Sequence, residues 1–520
     1  MTTPVASLPS KKWSIVAWAS VAAISVIASY LLMLALALAS LLLPLGLLSA
    51  GSLNFSSILL GAFGLVMGLT ILWSLIPRRD KFEPPGIPID LQRETELQAE
   101  IAAIAGSLME DLPAEVYLIP DANAFVAQRG GILGIGSRRV MGLGLPLLQT
   151  LNISQFRAVL AHEFAHFYAG DTRLGPLVYN ARSTMIRVFQ NLGDRSPFIG
   201  VLARFAIIAL AYTIIIKSLV FYWKMFMRLT QFVSRRQEFR SDELACHVAG
   251  SEALIEGLKT VNRSAVAVRP YWESVVAPVV QNGHLPPLAA GFGQFMIAPQ
   301  IAGAAASHLE GLIKSPRTTP FDTHPPLSAR IEKARALNSA SLEIDGRPAI
   351  CLIEDLKTLE MNLLAKIAPG IQPATLKPFD WETLGSDVYI PVWRNHTAAF
   401  GPFLKDHTVE AIPDLLKNLA PIANQLKDPP GLLLTREQRI TRAVSVVQSA
   451  LTLALFDHGW VLHATPGYVC LSHESLRFEP AQMLAQLSSG TLAPNDWRVY
   501  CEKAGIGNWP LAQINKAATA

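Results

Sequence analysis

From Trp13 to Leu48 the chain carries no charged side chain. No other feature constrains its folding as tightly. As a helix rising about 1.5 Å per residue, the run would reach roughly 54 Å, against a bilayer hydrocarbon core of about 30 Å. A cleavable signal peptide has an apolar core of only about 7–15 residues, so this run reads as an anchor. Lys11 and Lys12 precede it; a second uncharged run, Ser56 to Ile76, is followed by Arg78, Arg79 and Lys81. Basic residues stay on the cytoplasmic side of a membrane. Two crossings satisfy both clusters, so the sequence predicts a hairpin over residues 1–82, with spans at 13–48 and 56–76 and everything after Lys81 cytoplasmic.

Composition agrees. The chain is 51% hydrophobic and 16% charged, where soluble domains carry about 25% charge. Disordered, collagen-like and disulfide-stapled classes are excluded. A net charge of +4 with no clustered basic face gives no expectation of a nucleic-acid partner. Cys246, Cys351, Cys470 and Cys501 are far apart and form no CxxC, which reads as reduced thiols. A third apolar stretch, 198–226, is interrupted by Arg204 and Lys217 and ends in Phe221, Tyr222, Trp223 and Lys224, side chains suited to a membrane interface.

Pro84-Pro85-Gly86 reads as a linker. A helix is expected over 91–109 and strands over 115–119 and 139–143, with Gly130, Gly131, Gly134 and Gly136 as turn residues. Ser154 is the expected N-cap of a helix over 155–168. Residues 341–520 mix short helices and strands and hold Trp381, Trp393, Trp460, Trp497 and Trp509, with a hairpin expected at Thr465-Pro466-Gly467.

Within the 155–168 helix lies His162-Glu163-Phe164-Ala165-His166, an HExxH string. Residues i and i+4 share a helix face, so both imidazoles can address one ion. Glu163 sits about 100° round the helix, where its carboxylate reaches a water at the ion without ligating the ion. Random placement of 11 His and 40 acidic residues yields at most roughly 0.02 such strings in a chain of this length. A tetrahedral catalytic zinc needs a third protein ligand and an open position. Glu238 and Asp242, again four apart, supply a candidate ligand and a candidate hydrogen-bond acceptor for a ligating histidine's second nitrogen. His458, His463, Cys470 and His473 could suggest another metal site, but their spacing alternates faces of a hairpin and reads as ordinary packing.

Together these strings resemble the gluzincin pattern, and more closely the HtpX and CAAX prenyl-protease family of membrane zinc metallopeptidases. Similar to that family are Gly170-Asp171, Ser234-Arg235 ahead of Glu238-Phe239-x-x-Asp242, Thr323-His324-Pro325-Pro326-Leu327-Ser328-Ala329-Arg330, and Asn123-Ala124-Phe125. The family usually has Tyr where Phe239 stands and Ala where Ser241 stands. The resemblance covers about residues 85–340 and implies one Zn2+ per chain. It also implies His324 close to the metal, helping to hold the substrate or the oxyanion, and Arg330 at the rim of the active site.

The resulting expectation is a mainly α fold with a small β-sheet. It comprises the hairpin, a zinc metallopeptidase domain over 83–340 with the extra apolar segment 198–226, and an accessory α+β domain over 341–520. His166 and Glu238 bind one ion and so lie on one side of the membrane. Residues 198–226 therefore lie in the interface, re-enter, or pack on the hairpin, unless a second span hides in 174–196. The expected function is peptide-bond hydrolysis in misfolded or membrane proteins, in a bacterial inner membrane, with the substrate added as a β-strand near Arg139–Leu143. The alternatives are processing of lipidated CAAX-type tails, and a catalytically silent scaffold acting through the C-terminal domain.

Overall fold

The computed structural model describes residues 13–51, 54–132, 135–168, 175–192, 206–315, 324–340, 344–428 and 434–512. The architecture is mainly α with small sheets. The chain divides into two compact units, Met1–Ala265 with Ala306–Ile367, and Val266–Ala305 with Ala368–Ala520. The first unit runs past residue 340 because the segment around 345–355 is tied to it by backbone. Ile153 N–H donates to Arg347 O, Ala349 N–H to Leu151 O, and Asp355 N–H to a Glu94 carboxylate oxygen.

Both uncharged runs are helices, α1 (Trp13–Ser49) and α2 (Phe55–Leu75). They approach closely because α2 presents glycines: a Cβ on Gly64 would stand 2.6 Å from the Ser40 carbonyl oxygen, and one on Gly68 2.8 Å from that of Ala37. Small residues let apolar helices pack backbone to backbone where no water drives them together. Against this hairpin lie α5 (Gly175–Leu192) and the first half of α6 (Ala206–Ala249). Their shared core includes Met33, Met67, Met185, Leu219 and Phe226. Tyr222 Oη donates to Ser25 O at 3.0 Å and Asn191 Nδ2 to Ser74 Oγ at 2.9 Å. The outer faces leave Ile24, Leu31, Leu45, Ile58, Leu210 and Phe221 exposed, as suits lipid rather than water.

Two of the sequence-based alternatives take shape here. The apolar stretch 198–226, from Ala206 on, is the start of the helix that carries Glu238, and it packs on the hairpin. Within 174–196, Gly175–Leu192 contributes α5 to the same bundle, although Arg182 and Arg187 interrupt its apolar character. Those arginines turn toward polar groups inside it, Arg187 Nη2 donating to Thr184 Oγ1 at 2.7 Å.

Below the bundle, β1 (Ile87–Ile89), β2 (Glu115–Ile119), β3 (Ala124–Arg129) and β4 (Arg138–Gly144) form a sheet of order β1-β2-β4-β3. Helix α3 (Thr95–Ser107) and the site helix α4 (Ile153–Tyr168) pack on each other, and α4 also packs on β3. Strand β4 is paired on both sides, parallel to β2 and antiparallel to β3. The expected docking edge at Arg139–Leu143 is therefore closed, and the open edge next to α4 belongs to β3.

In the second unit, the hairpin β5 (Val461–Thr465) and β6 (Tyr468–His473) turns through Pro466 and Gly467, whose φ of +77° only glycine adopts easily. Among the described residues, four helices are long and apolar enough to cross a membrane by length and composition. Three belong to the bundle. The fourth, Arg436–Asp457, buries its apolar residues against Trp460, Trp497 and Phe478 within its own unit.

Candidate metal centre

Helix α4 begins two residues earlier than the Ser154 cap would allow. Gln155 N–H donates to Asn152 Oδ1 at 2.8 Å, and Asn152 N–H to Gln155 Oε1 at 3.2 Å, a reciprocal cap. Ser154 instead accepts from Asp345 N–H at 2.8 Å. Phe156, Leu160, Ala161, Phe164 and Ala165 are buried, which fixes the rotation of α4 and sends His162 and His166 toward α6. There Glu238, only 4% exposed, meets them.

The ligand atoms of His162, His166 and Glu238 all lie within 4.8 Å of one another. His162 Nε2 is 3.5 Å from Glu238 Oε2, and His166 Nε2 is 3.7 Å from Glu238 Oε1. These are gaps too wide for hydrogen bonds and of the size an ion would bridge. Glu238 Oε2 is buried with no hydrogen-bond partner. A buried carboxylate oxygen left unmatched is costly, and a cation held with two imidazole nitrogens satisfies it. Donor set, dryness and the orphaned oxygen together fit a divalent ion such as zinc.

Behind the donors, Asp242 Oδ1 lies 3.0 Å from His162 Nδ1. Arg330, on helix α7 (Leu327–Leu337), grips Asp242 with both arms of its guanidinium, Nε to Oδ2 at 2.9 Å and Nη2 to Oδ1 at 2.7 Å. Its Nη1 is 3.6 Å from Glu238 Oε2. The expected place of Arg330 at the rim is thus corrected: its side chain is buried beneath the ligands. Exposed His324 puts Nε2 3.4 Å from Glu238 Oε1. Glu163 is half-buried, and its charge helps keep the Arg330 guanidinium protonated. Asp171 lies outside the described residues.

One contact was missed in the sequence. Ser241, fully buried, places Oγ 3.2 Å from His166 Nδ1. Its position, three residues past Glu238 on the same helix, was the available signal. Each histidine is thus braced at Nδ1, His162 by a carboxylate and His166 by a hydroxyl.

Charge balance in this dry cluster is uneven. Burial and the Arg330 charge oppose protonation of His162, yet the hydrogen bond to Asp242 and the nearby Glu238 carboxylate push it up to about 9. Burial likewise opposes ionisation of Glu238, but the neighbouring His162, with Arg330, holds it down to about 2. Asp242 is held below the usual carboxylate range against the same burial, by Arg330 and His162. The site favours positive charge between its carboxylates, and a proton on His162 occupies that role in the metal-free protein.

Residues 91–338 match the family model described as Peptidase family M48. Among curated proteins, the chain is 29% identical over 241 residues to Protease HtpX of Pseudomonas entomophila, covering 44% of this chain and 69% of that one. It is 29% identical over 245 residues to Protease HtpX of Pseudomonas aeruginosa, covering 44% and 70%, and 27% over 244 residues to that of Pseudomonas putida, covering 44% and 69%. No solved structure matches. Residues 91–338, which hold the His-His-Glu cluster, are thus similar to peptidase family M48 and to HtpX proteases.

Proposed function

We propose that the protein is a membrane-anchored zinc metalloendopeptidase that hydrolyses peptide bonds of misfolded or membrane proteins, with its catalytic unit on the cytoplasmic side. The carrying observation is the convergence of His162, His166 and Glu238 around a buried carboxylate oxygen that has no hydrogen-bond partner. These three residues would hold the ion. When bound, it supplies Lewis-acid chemistry, acidifying a water toward a pKa of about 7 and polarising the scissile carbonyl. Glu163 takes the proton from the attacking water and returns it to the leaving amine as the C–N bond breaks. His324, exposed beside Glu238, is placed to donate to the developing oxyanion. Arg330 acts at one remove: it fixes Asp242, and Asp242 fixes the ring of His162. An extended substrate would pair with the open edge of β3, reading main chain more than side chains.

The bundle supports this orientation. His166 and Glu238 address one ion, so the chain between them crosses an even number of times; the first half of α6 is long and apolar enough for one crossing, and α5, shorter and packed on the same hairpin, would be the other. Arg78, Arg79 and Lys81 then flank the cytoplasmic face.

The test is metal content together with casein degradation, with and without chelator. Wild type should carry about one zinc per chain and lose cleavage on chelation. Glu163→Gln should keep the metal and lose cleavage. A metal-free, chelator-insensitive protease would overturn the proposal.

A further inference from the structure

Beside the metal centre, α6 and α7 border a cleft of about 850 Å³. Its wall includes Phe232, Arg235, Arg236, Phe239 and Arg240 of α6 and Lys333 of α7. Two acids also line it, and both are engaged: Asp242 with Arg330 at 2.7 Å and Glu243 with Arg240 at 2.7 Å. Cations outnumber acids among the described lining residues. Lys333 Nζ lies 3.5 Å from the centre of the Phe239 ring, and the Arg236 guanidinium 5.0 Å from that of Phe232. Cationic heads laid on aromatic faces, with apolar stems around them, suit a guest that is anionic at one end and apolar at the other.

Depth selects which guest. Phe226 is the last α6 residue in the buried core of the helical bundle. Phe232 and Arg236 follow it by about 9 and 15 Å along the helix. A headgroup layer occupies about 5–8 Å on each side of the hydrocarbon. Phe232, at the mouth of the cleft, therefore falls at the outer edge of the headgroup layer on the side where the metal centre stands, and Arg236 lies about 7–10 Å beyond that layer, within reach of a lipid drawn partly out of the bilayer.

We propose that this cleft binds the headgroup of an anionic phospholipid from the bilayer that holds α1, α2, α5 and α6. The anion sits among Arg235, Arg236 and Lys333, with acyl chains running back along α6 past Phe232. Pro325 and Pro326, which directly follow His324, also line the cleft, so the lipid would rest against the turn that carries His324.

The inference rests on the membrane reading of the bundle, which is checked separately by retention of the full chain in carbonate-washed membranes. The test of the cleft uses the full-length, metal-loaded protein in nanodiscs of phosphatidylcholine with or without phosphatidylglycerol. Lipid retained through purification is read by mass spectrometry of the intact protein. Wild type should retain phosphatidylglycerol in preference to phosphatidylcholine. The Arg236→Glu/Lys333→Glu variant should lose about tenfold or more of that preference, with zinc content unchanged. Should the reversed charges unfold the chain, Lys333→Gln alone gives a smaller loss in the same direction. Equal retention by variant and wild type overturns the proposal. So does displacement from wild type by inorganic phosphate, which marks a small-anion site, or by an acidic peptide, which marks part of the substrate path. A chain lost from washed membranes fails the membrane reading instead.

Discussion

Two regions hold comparable sets of metal-capable side chains, and only one assembles a site. In the first unit, His162, His166 and Glu238 converge, and Glu238 keeps an oxygen with no hydrogen-bond partner. In the second, every member of the corresponding set is satisfied locally. His458 stacks on Trp509 with ring centres 4.2 Å apart, His463 Nε2 lies 2.8 Å from Ser472 Oγ, His473 stacks on Trp460, and Cys470 donates to the Leu471 carbonyl. Residue inventory does not distinguish these regions; unsatisfied convergence does. Long apolar helices divide the same way. Only 11% of the apolar window in α6 is buried, against 56% in Arg436–Asp457, so one needs lipid and the other has its own aromatic core.

The strongest way to break the comparison is to remove convergence. Glu238→Ala should lose both metal and cleavage, whereas Glu163→Gln should keep metal and lose about 10²–10⁴-fold in rate. Metal analysis beside a casein assay reads both. Full zinc occupancy in Glu238→Ala would contradict the ligand assignment.

Next come the supports. Arg330→Leu leaves the buried Asp242 carboxylate with His162 as its remaining partner, and breaking a buried ion pair costs up to about 3–5 kcal/mol. The variant should unfold at lower temperature in detergent. Asp242→Asn keeps the shape and removes the charge behind His162, so metal affinity should fall about 10–100-fold. If affinity is unchanged, Asp242 does not position His162.

How far the site was legible depends on which physical question each residue answers. HExxH and Glu238-x-x-x-Asp242 are face arguments, and helical period settles faces from sequence alone. Arg330 was expected at a rim because its spacing from His324 says nothing of how deeply α7 seats. Its burial follows from the tertiary pairing with Asp242. Strand β4 was taken as an edge because alternation reveals a strand but not its neighbours. The cap moved from Ser154 to Asn152 because two capping candidates stand two residues apart, and the partner at Gln155 decides between them. The fold itself, a helical hairpin ahead of a mainly α body, is written in runs long enough to need no tertiary information. Charges at Arg182 and Arg187 concealed α5, since only a bundle with Thr184 and Ser74 inside it accommodates them.

Acidity sharpens the contrast in a third way. In the metal-free protein His162 is pushed up to about 9, so metal must displace a proton at neutral pH. Apparent affinity should rise about tenfold per pH unit below about 9. The sign reverses for stability without metal. A raised histidine stabilises the fold fully below its unfolded value of about 6.5 and loses that contribution as pH rises through about 9. Between pH 7 and 9, melting of the metal-free protein should therefore drift down while that of the loaded protein stays nearly level, since the gain in metal affinity offsets that loss. Parallel melting curves would detach His162 from the metal.

A smaller effect belongs to Ser241→Ala. A neutral hydroxyl bond is roughly half as strong as a charge-assisted one, so loss of the brace on His166 should weaken metal retention by about 3–10-fold, below the effect of Asp242→Asn. Competition with a chelator ranks the two variants. Equal losses would show that both histidines are held alike.

The smallest expected effect tests the comparison from its other side. His463 and His473 are both exposed at the surface of the β5–β6 hairpin, and each has a local partner already. His463→Ala/His473→Ala should leave zinc per chain and chelator sensitivity as in wild type. Each side chain contributes only a hydrogen bond or a ring stack, so melting should shift by no more than about 1–2 kcal/mol of stability. A drop in bound zinc would mean that local satisfaction in the structure does not exclude a ligand, and convergence would then lose its value as the criterion for the site in the first unit.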